Sequence, residues 1–156
     1  MKGVEIVDYL KTVSLIKRAR HDFGNHLQVL NGYLELGRPE HVKEYIGQII
    51  DEMNAEKIIF SLDNPEASLY FYEQLLLARN IGVNLVYSNI DSNCFEIIKR
   101  DNEPINSLKS LINDNNIDIN EDMVVELDIS KDSIDSNDVK MKFTFEKESR
   151  IIRLFI

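Results

Sequence analysis

Hydrophobic residues recur every three or four positions through the first sixty residues, which is the period of an amphipathic α-helix. This pattern predicts one helix from about Val4 to Leu36 and a second from about Pro39 to Ser61. Gly37 and Pro39 mark the junction, because glycine suits the end of a helix and proline suits the first turn of the next. The first helix would be about 50 Å long at ~1.5 Å per residue. We therefore predict a long antiparallel helical hairpin.

Beyond residue 62 the pattern predicts shorter, mixed elements. Asp63-Asn64-Pro65-Glu66 is a start signal for a helix to about Asn80, and Asp101-Asn102-Glu103-Pro104 opens another to about Asn113. Short apolar or alternating segments predict strands at Val83–Ser88, Met123–Ile129, Val139–Phe145 and Arg150–Ile156. The predicted fold class is α+β, with a helical hairpin in residues 1–62 and two helices against a sheet of about four strands in residues 63–156.

One face of the first helix is apolar. At about 100° per residue, the side chains within about 40° of Phe23 are Ile16, Ala19, Leu27, Leu30 and Leu34. We expect this stripe to be core. A hairpin with one apolar stripe on each helix leaves those stripes half covered, and a second copy would complete a four-helix bundle. The sequence therefore predicts a homodimer.

Composition narrows the classes of partner. The chain has 156 residues, with 18 basic against 27 acidic side chains and a net charge of −9, which argues against binding to nucleic acid or to an anionic membrane. No apolar run approaches the ~20 residues that span a bilayer. Cys94 is the single cysteine, as is common in a reducing cytosol, and His21 and His26 are too badly spaced to form a zinc site with it. We expect a cytoplasmic protein with no metal site of its own.

The face opposite the apolar stripe carries candidate chemistry. Four residues share it, namely His21, Asn25, Gln28 and Gly32. An exposed neutral imidazole can attack a phosphoryl group. Asp22 could orient that ring or accept its proton, and Arg18 and Arg20 could meet phosphate oxygens or an acidic partner. On the pattern alone, the simpler interpretation is that His21 is a polar residue on a solvated face.

The local string Arg20-His21-Asp22-Phe23-Gly24-Asn25-His26-Leu27-Gln28 favours the chemical interpretation. It resembles the phospho-acceptor motif His-Asp-x-x-Asn-x-Leu-Gln of the sporulation phosphotransferase B family, a motif shared with citrate/malate-type sensor histidine kinases. The resemblance covers about residues 15–60. It implies a dimeric four-helix bundle in which His21 is the phospho-acceptor and Asp22 and Asn25 orient its ring. It also implies partner contacts, assigned to Arg18, Arg20, Gln28 and Gly32.

Glycine content separates the two branches of this resemblance. A histidine kinase needs glycine-rich segments where the backbone approaches the nucleotide. All six glycines lie at or before Gly82, and no Gly-x-Gly follows Ser107–Asp114, where the asparagine-bearing helix of a kinase would stand. We therefore expect no ATP site. The resemblance implies that residues 63–156 form a small α/β sandwich similar to a degenerate kinase ATPase domain.

The leading hypothesis from this resemblance is a phosphotransferase of a sporulation phosphorelay. His21 would take a phosphoryl group from the aspartyl phosphate of one response-regulator receiver domain and pass it to another. The Mg²⁺ would come from the receiver, and the protein would hold no cofactor of its own. Two alternatives stay open. One is a divergent sensor histidine kinase, and the other is a non-catalytic dimeric module that binds a kinase or a response regulator.

Overall fold

The computed structural model describes residues 8–114, 123–146 and 148–156. Its helices are α1 (Tyr9–Glu35), α2 (Pro39–Phe60), α3 (Pro65–Asn80), α4 (Phe95–Arg100) and α5 (Ile105–Asp114). Its strands are β1 (Asn84–Ile90), β2 (Val124–Lys131), β3 (Val139–Thr144) and β4 (Ser149–Leu154). The predicted α+β class is confirmed. The predicted helix start at Val4 lies outside the described residues.

The turn between α1 and α2 follows from its glycine. Gly37 has a φ of +66°, a left-handed conformation that costs glycine little. Its N–H donates to the carbonyl oxygen of Leu34 at 3.0 Å, and the N–H of Arg38 donates to that of Tyr33 at 2.9 Å. This pair of bonds is the Schellman motif that closes a helix. The predicted hairpin of two helices is therefore confirmed, and α2 begins at Pro39 as expected.

Two compact units divide the chain, Met1–Asn54 and Ala55–Ile156. The division falls within α2, whereas the sequence predicted a boundary after residue 62, just past the end of that helix. The last turns of α2 are held in the second unit. Ile59 is completely buried there, and Arg79 of α3 donates to Glu56 at 2.9 Å.

A mixed four-stranded sheet organises the second unit. The strand order is β1-β2-β3-β4, with β1 parallel to β2 and the other two pairings antiparallel. Tyr87, Leu127 and Phe143 are register partners across three strands, and all three are buried. The alternate positions on β2 and β3 are at least partly exposed and, apart from Val124, polar, so one face of the sheet is core. On that face the Tyr87 hydroxyl donates to the carbonyl oxygen of Phe71 in α3 at 3.3 Å.

Capping residues predict both ends of α3. Asn64 Oδ1 accepts hydrogen bonds from the N–H groups of Glu66 and Ala67, and Gly82 closes the helix with a φ of +82°.

The sequence did not predict helix α4. Its six residues have no side-chain cap, and a helix this short shows little periodicity. It packs Phe95 and Ile98 into the core. The sequence between residues 113 and 122 is rich in Asn and Asp, which predicts a loop, and most of this stretch lies outside the described residues.

Candidate functional site

The seam between α1 and α2 is built from aromatic and histidine side chains. The hydroxyl of Tyr45 lies 2.9 Å from Nδ1 of His26. The ring of Tyr33 is tilted against that of His41, with 5.3 Å between centroids, and meets that of Tyr45 edge-on at 6.3 Å. Burial, followed by the charge of Glu52 and then by Tyr33, raises the pKa of Tyr45. Tyr45 therefore keeps its proton. The carboxylate of Glu52 lies 3.9 Å from Nε2 of His26 and favours a hydrogen on that nitrogen, so Nδ1 accepts a hydrogen bond from the Tyr45 hydroxyl. His26 and His41 thus both take part in the contact between α1 and α2.

The apolar stripe of α1 lies beside this seam, and the prediction that it is core does not hold within one chain. Phe23 is 63% exposed, Leu27 51% and Leu34 59%. All residues of α1 are described, and none is buried. The reason is geometric. The His26–Tyr33 side, which meets α2, lies about 60–80° around the helix from Phe23. Helix α2 has its own exposed stripe at Ile46, Ile50 and Met53.

His21 projects from the solvent-facing side of α1, as its angle on the helix predicts. Its side chain is 70% exposed. Nδ1 of the ring lies 3.3 Å from Oδ1 of Asp22 and 3.4 Å from Nδ2 of Asn25. Asn25 lies on the same side of the helix because residues four apart are neighbours on its surface, whereas Asp22 is adjacent to His21 in the sequence. The structure therefore assembles the three residues that the sequence nominated as the reactive group.

The two contacts at Nδ1 favour opposite tautomers of a neutral ring. A carboxylate only accepts, so the Asp22 contact requires a hydrogen on Nδ1, whereas the Asn25 amide nitrogen donates and requires a lone pair there. The bond to the charged group is the stronger. The geometry thus favours Nδ1–H, which leaves the lone pair on Nε2. Among the described residues, none lies within hydrogen-bond distance of Nε2 of His21.

The predicted partner-contact residues are distributed over more than one face. Gln28 and Gly32 share the His21 face, about 10 Å and 16 Å further along the helix axis. A Cβ added at Gly32 would meet nothing within 4 Å, so this stretch of the face is open. Arg20 is exposed but lies about 100° around the helix from His21, towards the apolar stripe.

Arg18 has a partner that the sequence pattern did not predict. Its Nε lies 3.5 Å from Oδ1 of Asp22, the same oxygen that approaches His21. The spacing of four residues between Arg18 and Asp22 is the signal that could have found this pair.

No metal or reactive thiol accompanies this site in the described residues. None of their His, Cys, Asp and Glu side chains form a group of three that could hold a metal ion. Cys94 is buried in the second unit, and burial raises the pKa of its thiol to about 11. At neutral pH that thiol stays protonated and is a poor nucleophile.

Comparison with known families addresses the hairpin. The family model described as sensor kinase SpoOB-type, alpha-helical domain matches residues 1–62. Residues 1–62 are therefore similar to this type of helical domain. The SpoOB-type domain is associated with phosphotransfer in two-component systems, so its family relates to histidine kinases and phosphotransferases.

The SpoOB-type match ends two residues after α2, and the mixed sheet lies outside it. A comparison with curated proteins found no match. None of the described helices is both long enough and apolar enough to cross a membrane.

Proposed function

We propose that the protein is a homodimeric phosphotransferase of a His–Asp phosphorelay of the sporulation type, in which His21 carries the phosphoryl group. The observation that carries this proposal is the exposed imidazole with Asp22 at Nδ1 and a free Nε2, on a SpoOB-type helix. An imidazole of this kind needs only positioning to act as a nucleophile towards phosphorus.

The transfer follows from the favoured tautomer. The Nε2 lone pair of His21 attacks the phosphorus of a receiver aspartyl phosphate, and the bond between phosphorus and the aspartate oxygen breaks. The carboxylate leaves with the electron pair, and the receiver contributes the Mg²⁺ that neutralises the phosphoryl oxygens. The ring keeps its proton on Nδ1 and becomes an imidazolium. The carboxylate of Asp22, 3.3 Å from that nitrogen, stabilises the new positive charge.

Passing the group to a second receiver reverses these events. The aspartate carboxylate of that receiver attacks phosphorus, the bond to Nε2 breaks, and the electron pair returns to the ring. Both receivers would dock on the same open surface, where Gln28 and Gly32 continue the His21 face. Arg20 would contact an acidic part of the receiver. No step uses a nucleotide, which agrees with a sequence that has no glycine between residues 83 and 156.

A second copy of the chain would cover the exposed stripes. Phe23, Leu27 and Leu34 on α1 are more than half exposed, and α2 exposes its own stripe. Exposed apolar residues that repeat along a helix in this way indicate an interaction site. Pairing two hairpins through it would form a four-helix bundle and leave both copies of His21 on the outside.

The test is phosphate transfer without ATP. The purified protein is mixed with Mg²⁺ and a phosphorylated receiver domain from the same organism, and the label on the protein is examined for stability in acid and alkali. We expect label that is labile in acid and stable in alkali. His21→Gln should abolish it, and His41→Gln, the matched control, should retain it. Label that persists in His21→Gln would refute the proposal.

Two other outcomes would identify the alternative functions. Label obtained from ATP alone would indicate a divergent histidine kinase. A stable complex with the receiver or with a kinase, formed without label on either histidine variant or on the natural protein, would indicate a non-catalytic binding module.

A further inference from the structure

Oδ1 of Asp22 connects two basic nitrogens on α1. It lies 3.3 Å from Nδ1 of His21 and 3.5 Å from Nε of Arg18. The Asp22 side chain is 27% exposed and that of Arg18 is 39% exposed, against 70% for His21. The guanidinium and the carboxylate are thus the more enclosed members of the group, and the imidazole is the member presented to solvent.

Helix stability does not account for the placement of this ion pair. For an ion pair four residues apart on a helix, the favourable order places the acidic residue nearer the N-terminus, because that order agrees with the helix dipole. Arg18 and Asp22 have the reverse order and lie in the middle of a 27-residue helix, away from either end of the dipole. The geometry instead places the guanidinium where it restrains the carboxylate beside the ring. An Asp side chain without such a partner is free to rotate away from Nδ1.

We propose that Arg18 is a positioning residue that acts through Asp22. Its guanidinium holds the Asp22 carboxylate against Nδ1–H of His21 and so keeps the reactive lone pair on Nε2. This inference rests on the proposed function, and it replaces the partner contact that the sequence assigned to Arg18. It also gives Arg18 and Arg20 different roles. Arg20 lies on another side of the helix and makes no bond to Asp22 among the described contacts.

The first measurement needs no transfer reaction. In the full-length protein labelled with nitrogen-15, the chemical shifts of the two ring nitrogens of His21 report which of them carries the hydrogen. Arg18→Gln should lower the share of the Nδ1–H tautomer, and Arg18→Lys should lower it less. Lys43→Gln removes the same charge from an exposed position on α2 and should leave the share unchanged. An unchanged share in Arg18→Gln would overturn the inference even if His21 carries phosphate.

The second measurement separates positioning from docking. At saturating receiver concentration, Arg18→Gln should lower the transfer rate about two- to five-fold, which is the effect an exposed ion pair can supply. The same change should have no further effect in an Asp22→Asn background. A full additional loss in that background, or a loss that disappears at high receiver concentration, would mean that Arg18 contacts the receiver directly and would contradict the proposal. Arg20→Gln should show that docking behaviour and leave the tautomer share unchanged.

Discussion

Tyr45 fixes the protonation pattern of a histidine that takes no part in the proposed transfer. Its hydroxyl is 2.9 Å from Nδ1 of His26, and the raised pKa of the phenol, due mainly to burial, ensures that the proton stays on oxygen. Because Glu52 lies 3.9 Å from Nε2 of His26 and favours the hydrogen there, Nδ1 of His26 is the acceptor in the seam of the hairpin. His21, only five residues earlier, donates from the same ring atom to a carboxylate. Two histidines on one helix thus have Nδ1 atoms with opposite hydrogen-bond roles, because a different group lies beside each ring.

Removing that neighbour should weaken the hairpin. Tyr45→Phe deletes the donor and leaves His26 Nδ1 unpaired in a partly buried place, which should cost about 1 kcal/mol of unfolding free energy. Urea denaturation followed by circular dichroism measures it. Tyr9→Phe, at a residue that is 74% exposed, is the matched control and should change stability little. Equal stability of the Tyr45 variant and the natural protein would show that the bond contributes nothing.

Glu103 gives the second unit a dependence on pH. Burial, opposed by bonds from Ser107 and assisted by the charge of Asp101, raises the pKa of its carboxyl group. A raised pKa means that the folded state binds the proton more tightly than the unfolded state. The stabilisation from Glu103 is therefore complete below the ordinary glutamate pKa and is lost as pH rises through the folded value.

Glu103→Gln should remove this loss. An amide stays neutral and can still pair with both the N–H and the hydroxyl of Ser107. The unfolding free energy is measured from about pH 4 to about pH 7 in both proteins. Over this range the natural protein should lose stability relative to the variant, because only the natural protein carries the Glu103 carboxyl group. Glu126→Gln, at an exposed position on β2, controls for the change in net charge. Parallel curves for Glu103→Gln and the natural protein would contradict the assignment.

At the scale of elements, α1 contains a residue that weakens it. Gly32 lies inside the helix, where alanine would be more stable by about 0.5–1 kcal/mol. A Cβ there would meet nothing within 4 Å. Packing within the chain thus offers no reason for the glycine, whereas a receiver lying close against the His21 face would.

Gly32→Ala should therefore separate stability from activity. We expect an increase in unfolding free energy of about 0.5–1 kcal/mol together with a transfer rate about ten-fold lower at low receiver concentration, since ten-fold corresponds to ~1.4 kcal/mol of docking energy. Gly47→Ala on α2, where the added Cβ also meets nothing, should be more stable with unchanged transfer. A normal transfer rate in Gly32→Ala would show that Gly32 is not part of the docking surface.

The sequence predicts elements well where a local signal fixes an end. Asn64 caps α3 and Pro39 starts α2 at the expected residues, because both effects depend on the nearest few peptide groups. Helix α4 carries no such signal and was missed. At the site, the period of α1 predicts the exposed angle of His21, but it gives no information on which neighbouring side meets α2. The side of α1 that meets α2 carries tyrosine and histidine side chains, so the pattern of apolar residues did not mark it as a packing face.

At the scale of the whole molecule, the exposed stripes should determine the assembly. Leu27→Glu introduces a charge in the middle of the stripe of α1 and should convert a dimer, with twice the 18.1 kDa mass of one chain, into a monomer. Sedimentation equilibrium measures the mass directly. Gln48→Glu adds the same charge at an exposed polar position of α2 and should leave the dimer intact. A natural protein that sediments as a monomer would contradict the four-helix bundle.

In the part of the chain that the structure describes, both hydrogen-bond partners of the His21 ring lie within four positions of it on α1. The arrangement from Arg18 to Asn25 is therefore encoded by eight consecutive residues and requires only that they stay helical. Substitutions elsewhere in the chain can change stability or assembly while His21 keeps its local geometry. The group is in this sense a portable unit, and under the proposed function specificity for a receiver can evolve around it without disturbing the chemistry.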